Sequence, residues 1–277
     1  MSLFSKLNFT FFTIMFLLCS SASAKDLKFI QITDSHFSAG NSTQYTQREV
    51  SSSKKTLEQT VRDINSIPDL DFVIFTGDNI DQANAEDLKA FVKVANSLKT
   101  PYYMVIGNHE VFKSQNLDKK EYMKIVSKYS KNFKTRSANY SFARNGYVFL
   151  VVDGAKEVIP GPAGYFKKDT LKWLDKQLTK HKNDTVVIFQ HFPLVEPSYH
   201  KSHTTYKPED YFAVLKKHNN VIAIFSGHYH VNAEKMVDGI YHVSTPALVE
   251  PPHNFKIVEI EKRGKTHQIY TQLRHAE

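Results

Sequence analysis

Five short segments carry the residue types that hold metal ions and move protons: Asp34-Ser35-His36, Gly77-Asp78-Asn79-Ile80-Asp81, Gly107-Asn108-His109-Glu110, Gln190-His191-Phe192-Pro193 and Gly227-His228-Tyr229-His230. Neutral imidazole, carboxylate and an amide oxygen together suit borderline divalent cations such as Zn, Mn, Fe, Co or Ni. So many nitrogen donors argue against calcium. Residues two apart in an extended segment point the same way, so Asp34 with His36, and His228 with His230, are expected to reach one site together. Glycine at 77, 107 and 227 permits positive φ and close backbone approach beside these side chains. Taken singly, each segment is a common turn or surface sequence. Their shared position sets them apart, because each follows directly on a short apolar run.

Those runs are Leu27 to Ile32, Phe72 to Phe75, Tyr102 to Ile106, Val186 to Phe189 and Val221 to Phe225. Unbroken apolar and β-branched character over such lengths predicts strands buried on both faces. Between them, Leu57/Val61/Ile64, Leu88/Phe91/Val92/Ala95/Leu98 and Leu171/Trp173/Leu174/Leu178 have helical spacing with charged residues on the other positions. Strand and helix alternate, so the fold class is α/β, and open α/β sheets place ligands past the C-terminal ends of their strands. Asn145-Gly146 between Tyr140-Ser141-Phe142 and Tyr147 to Leu150 predicts a hairpin with a type I′ turn. Tyr241 to Ser244, Phe255 to Ile260 and Thr266 to Leu273 read as further strands, which makes the sheets mixed rather than purely parallel. The polar stretches 38–52, 154–168 and 195–208 are expected to be loops over one face.

In order and in composition the five segments resemble the blocks of the calcineurin-like metallophosphoesterase superfamily: D-x-H, G-D-x-x-D, G-N-H-D/E, a lone H and G-H-x-H. The resemblance implies a four-layer α/β/β/α sandwich with two divalent metal ions, Mn, Zn or Fe foremost, at the strand ends. It places Asp34, His36 and His230 on one metal, Asn108, His191 and His228 on the other, and Asp78 between them. His109 would stand by the leaving group, with Asp81 hydrogen-bonded to it and orienting it. Purple acid phosphatases, a related branch, carry a metal-binding Tyr where this chain has Asp81, which disfavours that subclass. The implied activity is hydrolysis of a phosphomonoester or phosphodiester by a hydroxide shared between the two cations. A cyclic-nucleotide-phosphodiesterase-like branch, small nucleotides and phospholipid headgroups all remain open as substrate classes.

Composition bounds the alternatives. With 41% apolar and 23% charged residues in 277, the chain is neither disordered nor collagen-like, and its one Cys excludes a disulfide scaffold. The net charge of +8 is spread over the chain, without the aromatic and basic ladder of a single-strand binder, so no stable nucleic-acid partner is expected. A non-catalytic anion-binding or nucleic-acid-binding protein on the same fold is the alternative. Lys6, the twelve-residue stretch 7–18 with nine apolar members, and Ala22-Ser23-Ala24 read as a signal peptide over 1–24, leaving one domain over 25–277 that is exported to the periplasm or outside the cell. Cys19 lies within that leader, so the metal ligands must be nitrogen and oxygen. Beyond the five segments, Arg48 could clamp a phosphate and Tyr199-His200-Lys201-Ser202-His203 could line the pocket.

Overall fold

The computed structural model describes residues 26–40, 48–198 and 202–277. The expected leader and Tyr199, His200 and Lys201 lie outside the described residues. In chain order the first half contains β1 (Leu27–Ile32), α1 (Ser53–Ile64), β2 (Phe72–Phe75), α2 (Ala85–Ala95), β3 (Tyr102–Met104), α3 (Lys119–Tyr129), β4 (Tyr140–Arg144) and β5 (Tyr147–Val151). The second contains α4 (Lys168–Lys180), β6 (Thr185–Phe189), α5 (Pro208–Leu215), β7 (Val221–Ser226), β8 (Ala233–Val237), β9 (Ile240–Ser244), β10 (Asn254–Arg263) and β11 (Thr266–His275). They form two mixed sheets, ordered β11-β10-β1-β2-β3 and β4-β5-β6-β7-β9-β8. Strands β1 to β3 run parallel, as do β5, β6, β7 and β9; β10, β11, β4 and β8 are the antiparallel additions.

The all-apolar strands are explained by the layering. Phe72 and Phe75 are three residues apart on β2 and so face opposite ways. Phe72 meets the second sheet, its ring 4.9 Å from Phe149, while Phe75 meets the helix side, its ring 5.1 Å from Phe91 of α2. Phe29 of β1 lies among Phe72, Phe189 and Phe225 at 4.9 to 5.5 Å, so an aromatic layer fills the space between the sheets. Helices α1 and α3 flank α2, and α4 and α5 pack together, with Phe212 of α5 near His242 on the outer side of the second sheet. The order is helix, sheet, sheet, helix, as the family resemblance implied.

Polar side chains also enter this layer: Lys256 of β10, cross-strand from Gln31 and buried, meets Glu234 of β8 at 2.7 Å. Gln31 of β1 is fully buried and joins the two sheets: its amide nitrogen donates to Thr76 Oγ1 and to the Ser226 carbonyl, both at 3.0 Å, and its oxygen accepts from Thr245 Oγ1 at 2.7 Å. Asn145 and Gly146 have φ of 50° and 83°, the I′ geometry expected between β4 and β5. Three elements were not anticipated from spacing. Helix α3 is announced by Asp118, whose carboxylate accepts from the Glu121 amide at 2.8 Å, and α5 by Pro208 in its first turn. Strand β8 is a largely exposed edge strand with no apolar run to mark it.

Candidate metal centre

Past the ends of β1 and β2 the chain keeps pairing as loop. The amides of Asp34, His36 and Phe37 donate to the carbonyls of Gly77, Asp78 and Asn79 at 2.9 to 3.0 Å, so the first two segments are laced together. The expectation that Asp34 and His36, or His228 and His230, share an extended backbone is wrong. Asp34, His36, Asp78, His228 and His230 all have positive φ, between 39° and 74°. Left-handed residues turn the chain back at each step, and the side chains converge by that curl rather than by strand alternation. Asp and His tolerate this region better than most residues, but each such residue still stores about 1 kcal/mol or more. Gly77 has φ of 96°, and a Cβ there would stand 2.6 Å from His191 Nδ1, so only glycine lets that imidazole in.

The carboxylates are divided between support and site. Asp34 Oδ2 accepts from Thr33 Oγ1 at 2.6 Å and from the His228 amide at 2.9 Å. Its Oδ1 lies 3.3 Å from His230 Nε2 and 4.0 Å from His36 Nε2. Asp78 Oδ1 accepts from the His109 amide at 2.9 Å, while Oδ2 lies 3.2 Å from His191 Nε2 and 3.9 Å from His36 Nε2. Besides His36 with Asp81 and His109, two groups of ligand atoms result, Asp34 with His36 and His230, and Asp78 with His191 and His228. Asp78 stands between imidazoles of both. His228 Nδ1 is 3.2 Å from His191 Nε2 in the second group. Asp34 Oδ1, His36 Nε2 and Asn108 Oδ1 are buried without a hydrogen-bond partner, an arrangement that a bound cation would satisfy. The donor set, nitrogen and oxygen with no sulfur, therefore fits two borderline divalent ions.

Electrostatics agree. Burial works to raise Asp34 and Asp78, but neighbouring imidazoles outweigh it: His230 and His191 hold Asp34, and His191 and His109 hold Asp78, well below the usual carboxylate range. Burial pushes His36 down to about 4 and His228 to about 3, which keeps their nitrogen lone pairs available. His191 is raised to about 10 against its own burial by Asp78 and Asp34, and His230 to about 9 by Asp34 and Glu250.

The residues 27–232 match the family model of the calcineurin-like phosphoesterases. The chain belongs to that family. It is thereby a metal-dependent phosphoric ester hydrolase. It is 27% identical over 214 residues to a probable glycerophosphodiester phosphodiesterase of Arcobacter nitrofigilis, covering 73% of this chain and 71% of that one. It is 26% identical over 219 residues to a 3′,5′-cyclic-nucleotide phosphodiesterase of Nostoc, covering 78% and 76%. A crystal structure of a dimetal phosphatase from Danio rerio shares the fold with a TM-score of 0.68 at 17% identity, over 91% of this chain and 99% of that one.

Within this phosphoesterase, Asp81 and His109 sit together, but not through the carboxylate. His109 Nδ1 pairs with the Asp81 backbone carbonyl at 2.5 Å, and the Asp81 carboxylate instead stands 3.4 Å from His36 Nδ1. The expectation that the carboxylate of Asp81 orients His109 is corrected to orientation by its carbonyl, the carboxylate being engaged by His36 instead. Glu110, buried behind the site, accepts the backbone amides of Asp78 at 3.1 Å, Asn79, and Gly107 at 2.7 Å. It ties the second segment to the third. Burial and the charge of Asp78 raise it to about 8.

A cavity of about 900 Å³ opens over these ligands. All three predicted loops reach it: Arg48 from the first, Pro160 to Pro162 from the second, Ser198 and His203 from the third. The His203 ring lies 4.9 Å from that of His228. Phe112, Val111 and Tyr229 add an apolar side to the wall. Glu250 was not anticipated, since it belongs to no spaced motif. Gln31 had a signal, a polar residue in a fully buried strand.

Proposed function

We propose that this phosphoesterase hydrolyses a small phosphodiester at the Asp78-centred site, after export under the leader expected at residues 1–24. The observation that carries the reading is Asp78 Oδ2, set between His36 and His191, with Asp78, His228 and His230 bringing both ligand groups to the cavity wall. Two divalent cations bound there would acidify a water molecule and neutralise charge on the phosphoryl oxygens. Asp34, His36 and His230 would hold one ion and Asn108, His191 and His228 the other. His109 lines the cavity with Nδ1 committed to the Asp81 carbonyl, so its Nε2 edge is the one that can meet a leaving oxygen, and in the protonated form it can hand over a proton.

A diester is favoured over a monoester by the room available. The cavity is within the size range of drug-sized ligand pockets and has an apolar side at Val111, Phe112 and Tyr229 that a second ester group can cover. The two phosphodiesterase relatives support the same direction. No helix among the described residues is long and apolar enough to cross a membrane. The test is turnover of bis-p-nitrophenyl phosphate against p-nitrophenyl phosphate by Mn2+-loaded or Zn2+-loaded protein, followed by a panel of cyclic nucleotides and glycerophosphodiesters. Faster turnover of the diester, lost in His191→Ala, is expected. Retention of turnover on both substrates in His191→Ala would refute the site, and preference for the monoester would refute the substrate class.

A further inference from the structure

The family match stops at residue 232, yet a later segment reaches back into the site. The Leu248 amide donates to the Thr33 carbonyl at 2.9 Å and the Val249 amide to the Asp34 carbonyl at 3.2 Å. The next residue, Glu250, places Oε1 2.7 Å from His230 Nδ1. Val249 and Glu250 thus touch two of the three ligands of one group, the backbone of Asp34 and the ring of His230, and Leu248 bonds the residue before Asp34. The segment is itself anchored: the Glu49 amide donates to the Val249 carbonyl at 3.1 Å, Val50, Ala247 and Val249 form a small apolar cluster, and His253 bonds the Leu248 carbonyl at 2.9 Å. The Glu250 side chain is only 25% exposed and lines the cavity.

His230 has two ring nitrogens with different tasks. Nε2 faces Asp34 Oδ1 at 3.3 Å, within the ligand group, and Nδ1 faces Glu250. A carboxylate accepting Nδ1–H fixes the tautomer that leaves the Nε2 lone pair toward a metal, and it raises the basicity of that nitrogen. In the other group, His191 has no such partner: its Nδ1 pairs with the Thr76 carbonyl at 2.9 Å. We infer that Glu250 is a positioning residue, acting through His230 to set how tightly the Asp34, His36 and His230 group holds its cation. The inference rests on the two-metal reading of the site and adds to it a residue from beyond the family match.

Calorimetric titration of the metal-free protein with Mn2+ tests this, alongside thermal unfolding of the same metal-free samples. The wild-type chain is expected to bind two ions. Glu250→Ala is expected to weaken one of them 10- to 100-fold and leave the other within about 3-fold. Glu250→Gln should fall between, because its amide oxygen still accepts Nδ1–H but carries no charge. The metal-free melting temperatures should coincide, which separates an effect on His230 from damage to the fold. Both ions binding Glu250→Ala as tightly as wild type would overturn the role of Glu250 alone. Equal weakening of both ions would also overturn it, since the segment would then act as general scaffold. No Mn2+ uptake by the wild type would bring down the two-metal reading itself.

Discussion

Replacing Gln31 with Leu removes a fully buried polar link between the sheets while nearly preserving volume. Its cost can be assembled from the bonds it makes. Thr245 Oγ1 donates to Gln31 Oε1 at 2.7 Å and would be left as a buried hydroxyl donor, at about 1–3 kcal/mol. The Ser226 carbonyl keeps the Thr245 amide at 3.2 Å, and Thr76 Oγ1 keeps its contact with the Ile32 carbonyl at 3.3 Å, so each loses only a net bond of about 0.5–1 kcal/mol. The sum is about 3 kcal/mol, which for a domain of this size is a fall of roughly 6–12 °C in melting temperature. Urea unfolding of metal-free protein reads it directly. The double variant Gln31→Leu/Thr245→Val removes the stranded hydroxyl, so it should recover about 1–2 kcal/mol relative to the sum of the two single variants. Ser226 immediately precedes Gly227-His228, and Thr76 immediately precedes Gly77-Asp78, so Gln31→Leu should also weaken metal uptake. A loss under about 0.5 kcal/mol, or strict additivity in the cycle, would refute the reasoning.

Gly77→Ala would drive a methyl group against the His191 ring at a backbone angle that disfavours any side chain; loss of most activity and at least about 2 kcal/mol of stability is expected from unfolding and turnover measurements. Asp78→Asn should abolish turnover, and His109→Ala should lower kcat more than metal content, checked by steady-state kinetics with metal analysis. Cations bound at 1,000 times their dissociation constant should stabilise the folded chain by about 4 kcal/mol, so a chelator should lower the melting temperature, and lower it less in His191→Ala. His242 is held down to about 4 by burial, below its unfolded value near 6.5. Its stabilising contribution is therefore present above pH 6.5 and lost as pH falls toward 4, by up to about 3 kcal/mol, and His242→Phe should flatten that part of the stability profile.

The parts of the site that could be read from sequence are those tied to strand ends. A buried strand must end where its apolar run ends, so Asp34, Asp78, Asn108, His191 and His228 announced both themselves and the sheets that carry them. The helix, sheet, sheet, helix order came with the same motifs. What escaped was set by tertiary approach alone. Glu250 reaches His230 across a loop of no fixed spacing, and the carboxylate of Asp81 turns to His36 rather than His109, a choice between two nearby imidazoles that residue types do not specify. The assumption of extended pairs failed for the same reason. Helix α3 had a cap and α5 a proline in its first turn, both with periodic faces but no neighbouring motif to draw attention to them, and β8 is an edge with little to bury.

Strand β1 lies inside its sheet, and one of its two neighbours, β10, is made more than 220 residues later. Until that late partner arrives, Leu27 to Ile32 presents an open row of amides and carbonyls along a ribbon of mostly apolar residues, the kind of edge that recruits other chains. Assembly of the first sheet is consequently a closing event, and a ribosome-stalled or clipped product ending before residue 254 should be found in aggregates rather than as a smaller enzyme.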